Sequence, residues 1–98
     1  MNNHPSAVGL DSEVLIEDDA VFRDLQGEGV VLNLKTGRYF GLDPVGTRIW
    51  QLLQQHHSVR EVLRALLAEY EVSEEQCRDD LLRLLEQLRE KQLVRVAV

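Results

Sequence analysis

Apolar positions alternate with polar ones through the first half of this chain and recur every three or four residues through the second. Val30, Leu32 and Leu34 follow period two, as do Phe40 and Leu42, so each segment reads as a half-buried strand. Between them Lys35-Thr36-Gly37 offers a type I turn closed by a glycine bulge, which pairs Leu34 with Arg38, Leu32 with Phe40 and Val30 with Leu42. Upstream, Val21, Arg23 and Leu25 alternate around Phe22, and Gln26-Gly27-Glu28-Gly29 supplies the connecting turn. The expectation is a meander of three strands at 20–25, 29–34 and 38–42. Val14 and Ile16 alternate more briefly, ahead of the acidic break Glu17-Asp18-Asp19.

Helical periodicity begins where Asp43 and Pro44 provide an N-cap and a first-turn proline. The first helix, about 44–55, places Val45, Ile49, Leu52 and Leu53 on one face with Trp50 at its edge, and His56-His57 ends it. Ser58 with Glu61 forms the signature of a capping box, and Val59, Val62, Leu63, Leu66, Leu67 and Tyr70 follow as one stripe. Ser73 with Gln76 repeats the device, leading into Cys77, Leu81, Leu84, Leu85 and Leu88 and ending near Glu90. Leu93-Val94-Arg95-Val96 regains period two, as a short wing strand or a tail lying on the sheet. Strands first and helices second is an α+β arrangement of winged helix-turn-helix type, an N-terminal three-stranded antiparallel meander followed by three helices.

Composition narrows the class. At 98 residues, 44% apolar and with two prolines, the chain can build one modest core, so residues 13–98 are expected to form a single domain behind a flexible lead-in at 1–12. The single Cys77 forbids an internal disulfide, three scattered His give no zinc spacing, and neither an export signal nor a membrane-length apolar run is visible. A soluble cytoplasmic protein without metal or cofactor is expected, and no membrane partner. Seventeen acids against eleven bases, a net charge of −6, argue against a nucleic-acid backbone as partner.

Leu82 stands out on the third helix. At about 100° per residue it falls outside the arc of Leu81, Leu84 and Leu88, next to Leu85 and flanked by Arg78 and Arg89. Two readings stand: Leu82 packs on the sheet or tail while the arginines pair with nearby acids, or the strip forms one wall of a groove. In the second reading the last strand of the meander is an open edge. An extended peptide then adds to it, with acidic residues meeting Arg78 or Arg89.

Other tempting residues have plainer explanations. His56 and His57 diverge at a helix end, Cys77 sits on the core stripe, and the acidic clusters at 17–19 and 79–80 lack a partner group at a defined spacing. Tyr39 should project to the outer face of the sheet near Asn33 and Val31, as a cross-strand pair or an exposed contact.

The segment GVVLNLKTGRYFGLDPVGTRIWQLL, the Ser58-capped helix, AEYEVSEEQCRDDLLRLLEQL and the closing KQLV together resemble the PqqD-like proteins, over roughly residues 20 to 95. The match lies in the order and spacing of a hydrophobic framework rather than in a chemical signature. The resemblance implies a winged helix-turn-helix adaptor without catalytic residues, which binds the leader of a ribosomally made precursor peptide. It would present that peptide to a modifying enzyme such as a radical SAM enzyme, a protease or a cyclase. It implies leader addition to the third strand of the meander, here Arg38, Tyr39, Phe40, Gly41 and Leu42, and packing against Arg78, Leu82, Leu85 and Arg89. The tight hairpin and Asp-Pro start look closer to the general and lasso-type members than to the cofactor-pathway type. A homodimer through the same open edge is compatible with this reading. A winged-helix DNA-binding regulator is the main alternative. Its recognition helix would need bases toward phosphate, whereas Arg78, Arg83 and Arg89 stand among six acids. A small enzyme would need a nucleophile and base or a metal cluster, and the sequence offers neither.

Overall fold

Strands arise from the alternating half of the chain and helices from the half with helical period. The computed structural model describes residues 8–97. Its elements in order are β1 (Val14–Ile16), β2 (Ala20–Leu25), β3 (Glu28–Asn33), β4 (Tyr39–Gly41), α1 (Pro44–Leu53), α2 (Val59–Glu69), α3 (Glu74–Glu90) and β5 (Val94–Val96). β2, β3 and β4 form an antiparallel meander in that spatial order, and the three helices follow, as expected for the winged helix-turn-helix class. The tail is a strand, but its partner is β1 rather than the meander: Val14 lies opposite Val96 and Ile16 opposite Val94.

The β3–β4 register differs by one from the alternation-based expectation. Leu32 pairs with Tyr39, Val31 with Phe40 and Val30 with Gly41. The loop holds four residues, Leu34 to Gly37, because the closing pair is Asn33 with Arg38: the Asn33 amide donates to the Arg38 carbonyl at 2.8 Å, and the Gly37 amide to the Asn33 carbonyl at 2.8 Å. Asn33 Oδ1 accepts from the amides of Lys35 and Thr36 at 2.8 and 3.1 Å, and Gly37 takes the left-handed conformation, φ +78°. One extra loop residue moves every β3 side chain to the opposite face. Val31 and Asn33 therefore point inward and are buried, Val30 and Leu32 face outward, and Leu34 is exposed. Buried Asn33 has its polar atoms satisfied, since Nδ2 donates to the Gln92 carbonyl at 2.6 Å.

Capping starts the helices where expected. Asp43 Oδ1 accepts from the Gly46 amide at 2.7 Å with Pro44 in the first turn, and Ser58 and Ser73 accept from the amides of Glu61 and Gln76. Both capping boxes are half-made, because Glu61 turns to Arg64 and Gln76 to Asp80 instead of reaching back. On α1 the apolar face is rotated from the expected one: Trp50 is buried at its centre and Val45 is 45% exposed. Trp50 stacks on Phe22 with ring centroids 6.0 Å apart, which seats the meander on α1. Close approach there requires Gly29, since a Cβ would run into the Phe22 ring, and its amide donates to Thr47 Oγ1 at 2.7 Å.

The core gathers Val14, Val31, Leu53, Val59, Val62, Leu66, Leu81, Leu85, Leu88 and Leu93. Residues 8–12, within the segment expected to be a lead-in, pack here: Val8 is buried and donates its amide to Glu86 Oε2 at 2.7 Å, and the Ser12 carbonyl accepts from the Val59 amide. Residues 1–7 of that segment lie outside the described residues. No helix among the described residues is long and apolar enough to cross a membrane.

Candidate functional site

β4 is the outer strand of the meander, so one of its sides is free. Antiparallel pairs alternate between bonded and non-bonded positions. The Asn33 amide donates to Arg38 and the Leu42 amide to Gly29 at 2.8 Å, which marks residues 38, 40 and 42 as those that bond β3. The N–H and C=O groups of Tyr39 and Gly41 therefore point to the open side.

A groove of about 470 Å³ runs along that side. Phe40, Gly41 and Leu42 form one wall, Asp80, Arg83, Leu84 and Gln87 of α3 the other, and Val45 and Ile49 of α1 close one end. At the opposite end Arg38 Nη1 donates to the Glu90 carbonyl at 3.2 Å, and the Asn33–Gln92 bond lies beside it in sequence, so the hairpin is pinned to the C-terminal end of α3. A cation at those helix carbonyls is favourably placed. Within the helical wall Arg83 pairs with Asp80 at 3.0 Å, and hydrogen bonds from Gln76 and Arg83 hold the Asp80 carboxyl below its usual range.

An apolar pocket of about 140 Å³ opens beside the groove and shares Val45, Ile49 and Asp80 with it. Leu66, Tyr70, Val72, Cys77 and Leu81 complete most of its lining. Burial, and then the neighbouring Asp80, push the Cys77 thiol above its ordinary value, which suits packing and not nucleophilic attack.

The structure brings together only part of the expected site. Phe40, Gly41 and Leu42 line the groove, Tyr39 is 67% exposed on the outer face, and Arg38 is engaged with α3. Tyr39 faces outward as expected, but its cross-strand neighbour is Leu32, because Asn33 and Val31 point into the core. None of the four expected helix residues lines the groove. Leu85 is fully buried, while Arg78, Leu82 and Arg89 occupy the flank of α3 about 180° away from Asp80, Arg83, Leu84 and Gln87. On that flank Arg78 pairs with Asp79 at 3.7 Å, Arg89 with Glu86 at 2.7 Å, and Leu82 packs against the core. The core stripe has two edges, and Leu84, which its spacing puts on that stripe, lies at the groove edge. Leu82 and Leu84 are both half-buried, and what sets Leu84 apart is that it lines the groove with Arg83 and Gln87. His57 serves through its carbonyl, which accepts from the Val14 amide, and no group of three metal-ligating side chains assembles among the described residues.

Residues 28–94 match the family model described as Coenzyme PQQ synthesis protein D (PqqD), well over half of the chain. The chain belongs to the PqqD family. Two solved structures are similar to this PqqD-family chain. One, described as TbiB1 in complex with the TbiA(beta) leader peptide, is 41% identical with a TM-score of 0.77, covering 82% of this chain and 93% of that one. The other, described as lasso peptide synthetase B1 complexed with the leader peptide, is 26% identical with a TM-score of 0.73, covering 84% and 96%. No curated protein matches. The DNA-binding alternative gains nothing from the structure, since Arg78, Arg83 and Arg89 of α3 are each paired with a carboxylate.

Proposed function

We propose that this PqqD-family chain is a non-catalytic adaptor that binds the leader of a ribosomally made precursor peptide and presents the remainder to a modifying enzyme. The observation that carries the reading is the free edge of β4 beside a groove walled by α3. An extended peptide adds there as a further strand, exchanging backbone bonds with Tyr39 and Gly41. Its alternate side chains enter the groove over Phe40, Leu42 and Leu84, and the apolar pocket at the Val45 end accepts one large apolar group.

The leader complexes of the two similar structures support this assignment and favour a lasso-type pathway, in which the partner enzyme is a protease or cyclase. Meeting a newly made precursor places the protein in the cytoplasm. A second copy of the chain would compete for the same edge, so the peptide-bound form is monomeric at β4. Titrating ¹⁵N-labelled protein with synthetic TbiA(beta) leader should shift the amides of Tyr39, Gly41, Leu84 and Gln87. Shifts confined to the Arg78–Leu82–Arg89 flank, or none at all, would overturn this reading.

A further inference from the structure

The meander has a second outer strand, β2, on the side away from β4. β2 pairs with β3 residue for residue from Ala20 to Leu25, without a bulge, and its other side is open. It holds six residues against the three of β4, and it carries neither proline nor lysine, the residues that keep a sheet edge from pairing. Asp24 is no guard either, since its side chain turns back into the hairpin, where Oδ1 accepts from the Gly27 amide at 2.7 Å.

Hydrogen-bond parity fixes what this edge offers. The Leu34 amide donates to the Asp19 carbonyl at 2.9 Å, so Ala20 and Asn33 are a non-bonded pair, and Val21, Arg23 and Leu25 are the residues that bond β3. The N–H and C=O groups of Ala20, Phe22 and Asp24 therefore point to the open side, and of these the Ala20 amide is taken by the Glu17 carbonyl at 3.1 Å. What is left is complementary to itself. With a two-fold axis at Phe22, the Phe22 amide and carbonyl of two antiparallel copies bond each other, and each Asp24 amide meets the Ala20 carbonyl of the other copy. An axis at Val21 would match only the Phe22 amide with the Ala20 carbonyl, and one at Arg23 would set two arginines opposite each other.

The side chains select the same axis. Arg23 and Asp19 are exposed on the outer face, and neither takes part in an ion pair among the described residues. The Phe22 axis puts Arg23 of each copy diagonal to Asp19 of the other, within reach of a long side chain. On the inner face half-buried Phe22, already stacked on Trp50, gains the Phe22 ring of the second copy as its cross-strand neighbour.

We infer that β2 is a self-association edge, through which two copies of this chain join about Phe22 into one continuous sheet with a free β4 at each end. The contact is isologous and closes at a dimer. It is separate from leader binding and leaves that edge open, so the dimer presents two leader sites.

Sedimentation and amide hydrogen exchange of the full chain, over a concentration series up to about 1 mM, test this. The mass should rise from monomer to dimer and stop there, the Phe22 and Asp24 amides should gain protection in step, and saturating TbiA(beta) leader should reverse neither change. Arg23→Glu, at an exposed position, should weaken dimerisation at least about tenfold, and Asp19→Arg added to it should restore most of the loss. A monomer at every concentration would overturn the inference. So would a dimer whose Phe22 and Asp24 amides stay unprotected, or a charge swap that rescues nothing. Protection at Tyr39 and Gly41 instead, abolished by the leader, would move self-association to β4. Failure of the leader to bind would overturn only the adaptor reading, because dimerisation is measured without it.

Discussion

Helix α3 carries two flanks that are alike in composition and differ in what the chain lays against them. Either side of the buried Leu81–Leu85–Leu88 stripe stands one leucine with arginine and acid: Asp80, Arg83, Leu84 and Gln87 on one flank, Arg78, Leu82, Glu86 and Arg89 on the other. The first borders the open groove beside β4. The second receives the N-terminal segment, where the Val8 amide reaches Glu86 and Glu86 in turn holds Arg89. An apolar strip with charged edges is therefore open to a partner only where the rest of the chain leaves it uncovered. Its residue types do not decide the matter.

The largest effect expected from this contrast is on leader affinity. Leu84→Asp puts a charge into the groove wall and should weaken binding by about thirtyfold or more, the scale of an interface hot spot, and because Leu84 also packs against the core it should cost about 1–3 kcal/mol of stability as well. Leu82→Asp should carry a similar stability cost, since Leu82 too packs on the core, while affinity for the leader stays within about twofold. Calorimetric titration alongside denaturant unfolding of the two variants checks both. An affinity loss at Leu82 with none at Leu84 would exchange the roles of the flanks.

The covered flank can be loosened at its anchor. Burial pushes the Glu86 carboxyl up, but the Val8 amide and the Arg89 guanidinium outweigh it and hold the group below its usual range. A carboxylate depressed in the folded state contributes stability above its unfolded value, near 4.3, and loses that contribution as pH falls through the folded value. Glu86→Ala should thus cost about 1 kcal/mol at pH 7, some 4–8 °C in Tm, and the difference from the parent should shrink toward pH 3. Hydrogen exchange at the Val8 amide should quicken while leader binding is unchanged. A Tm gap that widens on acidification would refute the assignment of that anchor.

The contrast between the flanks also shows what one dimension of sequence can hold. Asp43-Pro44, Ser58 and Ser73 announced the helix starts because capping is settled within four residues. The strands of the meander and Gly37 were legible for the same reason. The hairpin register was not, because Asn33 closes the loop with its own side chain and adds one residue to it, which reverses the faces of Val30 to Leu34. The pairing of β1 with β5 joins opposite ends of the chain, and neither strand carries a mark of the other. For the candidate site, the strand wall followed from local alternation and an unpaired edge. The helical wall depended on which edge of the α3 stripe turns toward β4, a matter of handedness in three dimensions that a helical wheel leaves open.

The finest distinction between the flanks lies in their arginines. Arg83 pairs with Asp80 across an exposed i,i+3 spacing, and such pairs contribute only about 0–1 kcal/mol, so Arg83→Ala should leave stability nearly unchanged. With a peptide docked as proposed, its place in the groove wall would make it a rim contact, and rim charges act mainly on association. The variant should bind leader about two- to fivefold more weakly at low salt, chiefly through slower association, and the gap should close as ionic strength rises past the Debye screening range. Arg78→Ala, on the covered flank and already paired with Asp79, should match the parent at every salt concentration. Stopped-flow association rates for the two variants over a salt series decide it. Equal slowing by both would mean that the peptide contacts each flank, and the division of α3 into a docking wall and a covered face would fall.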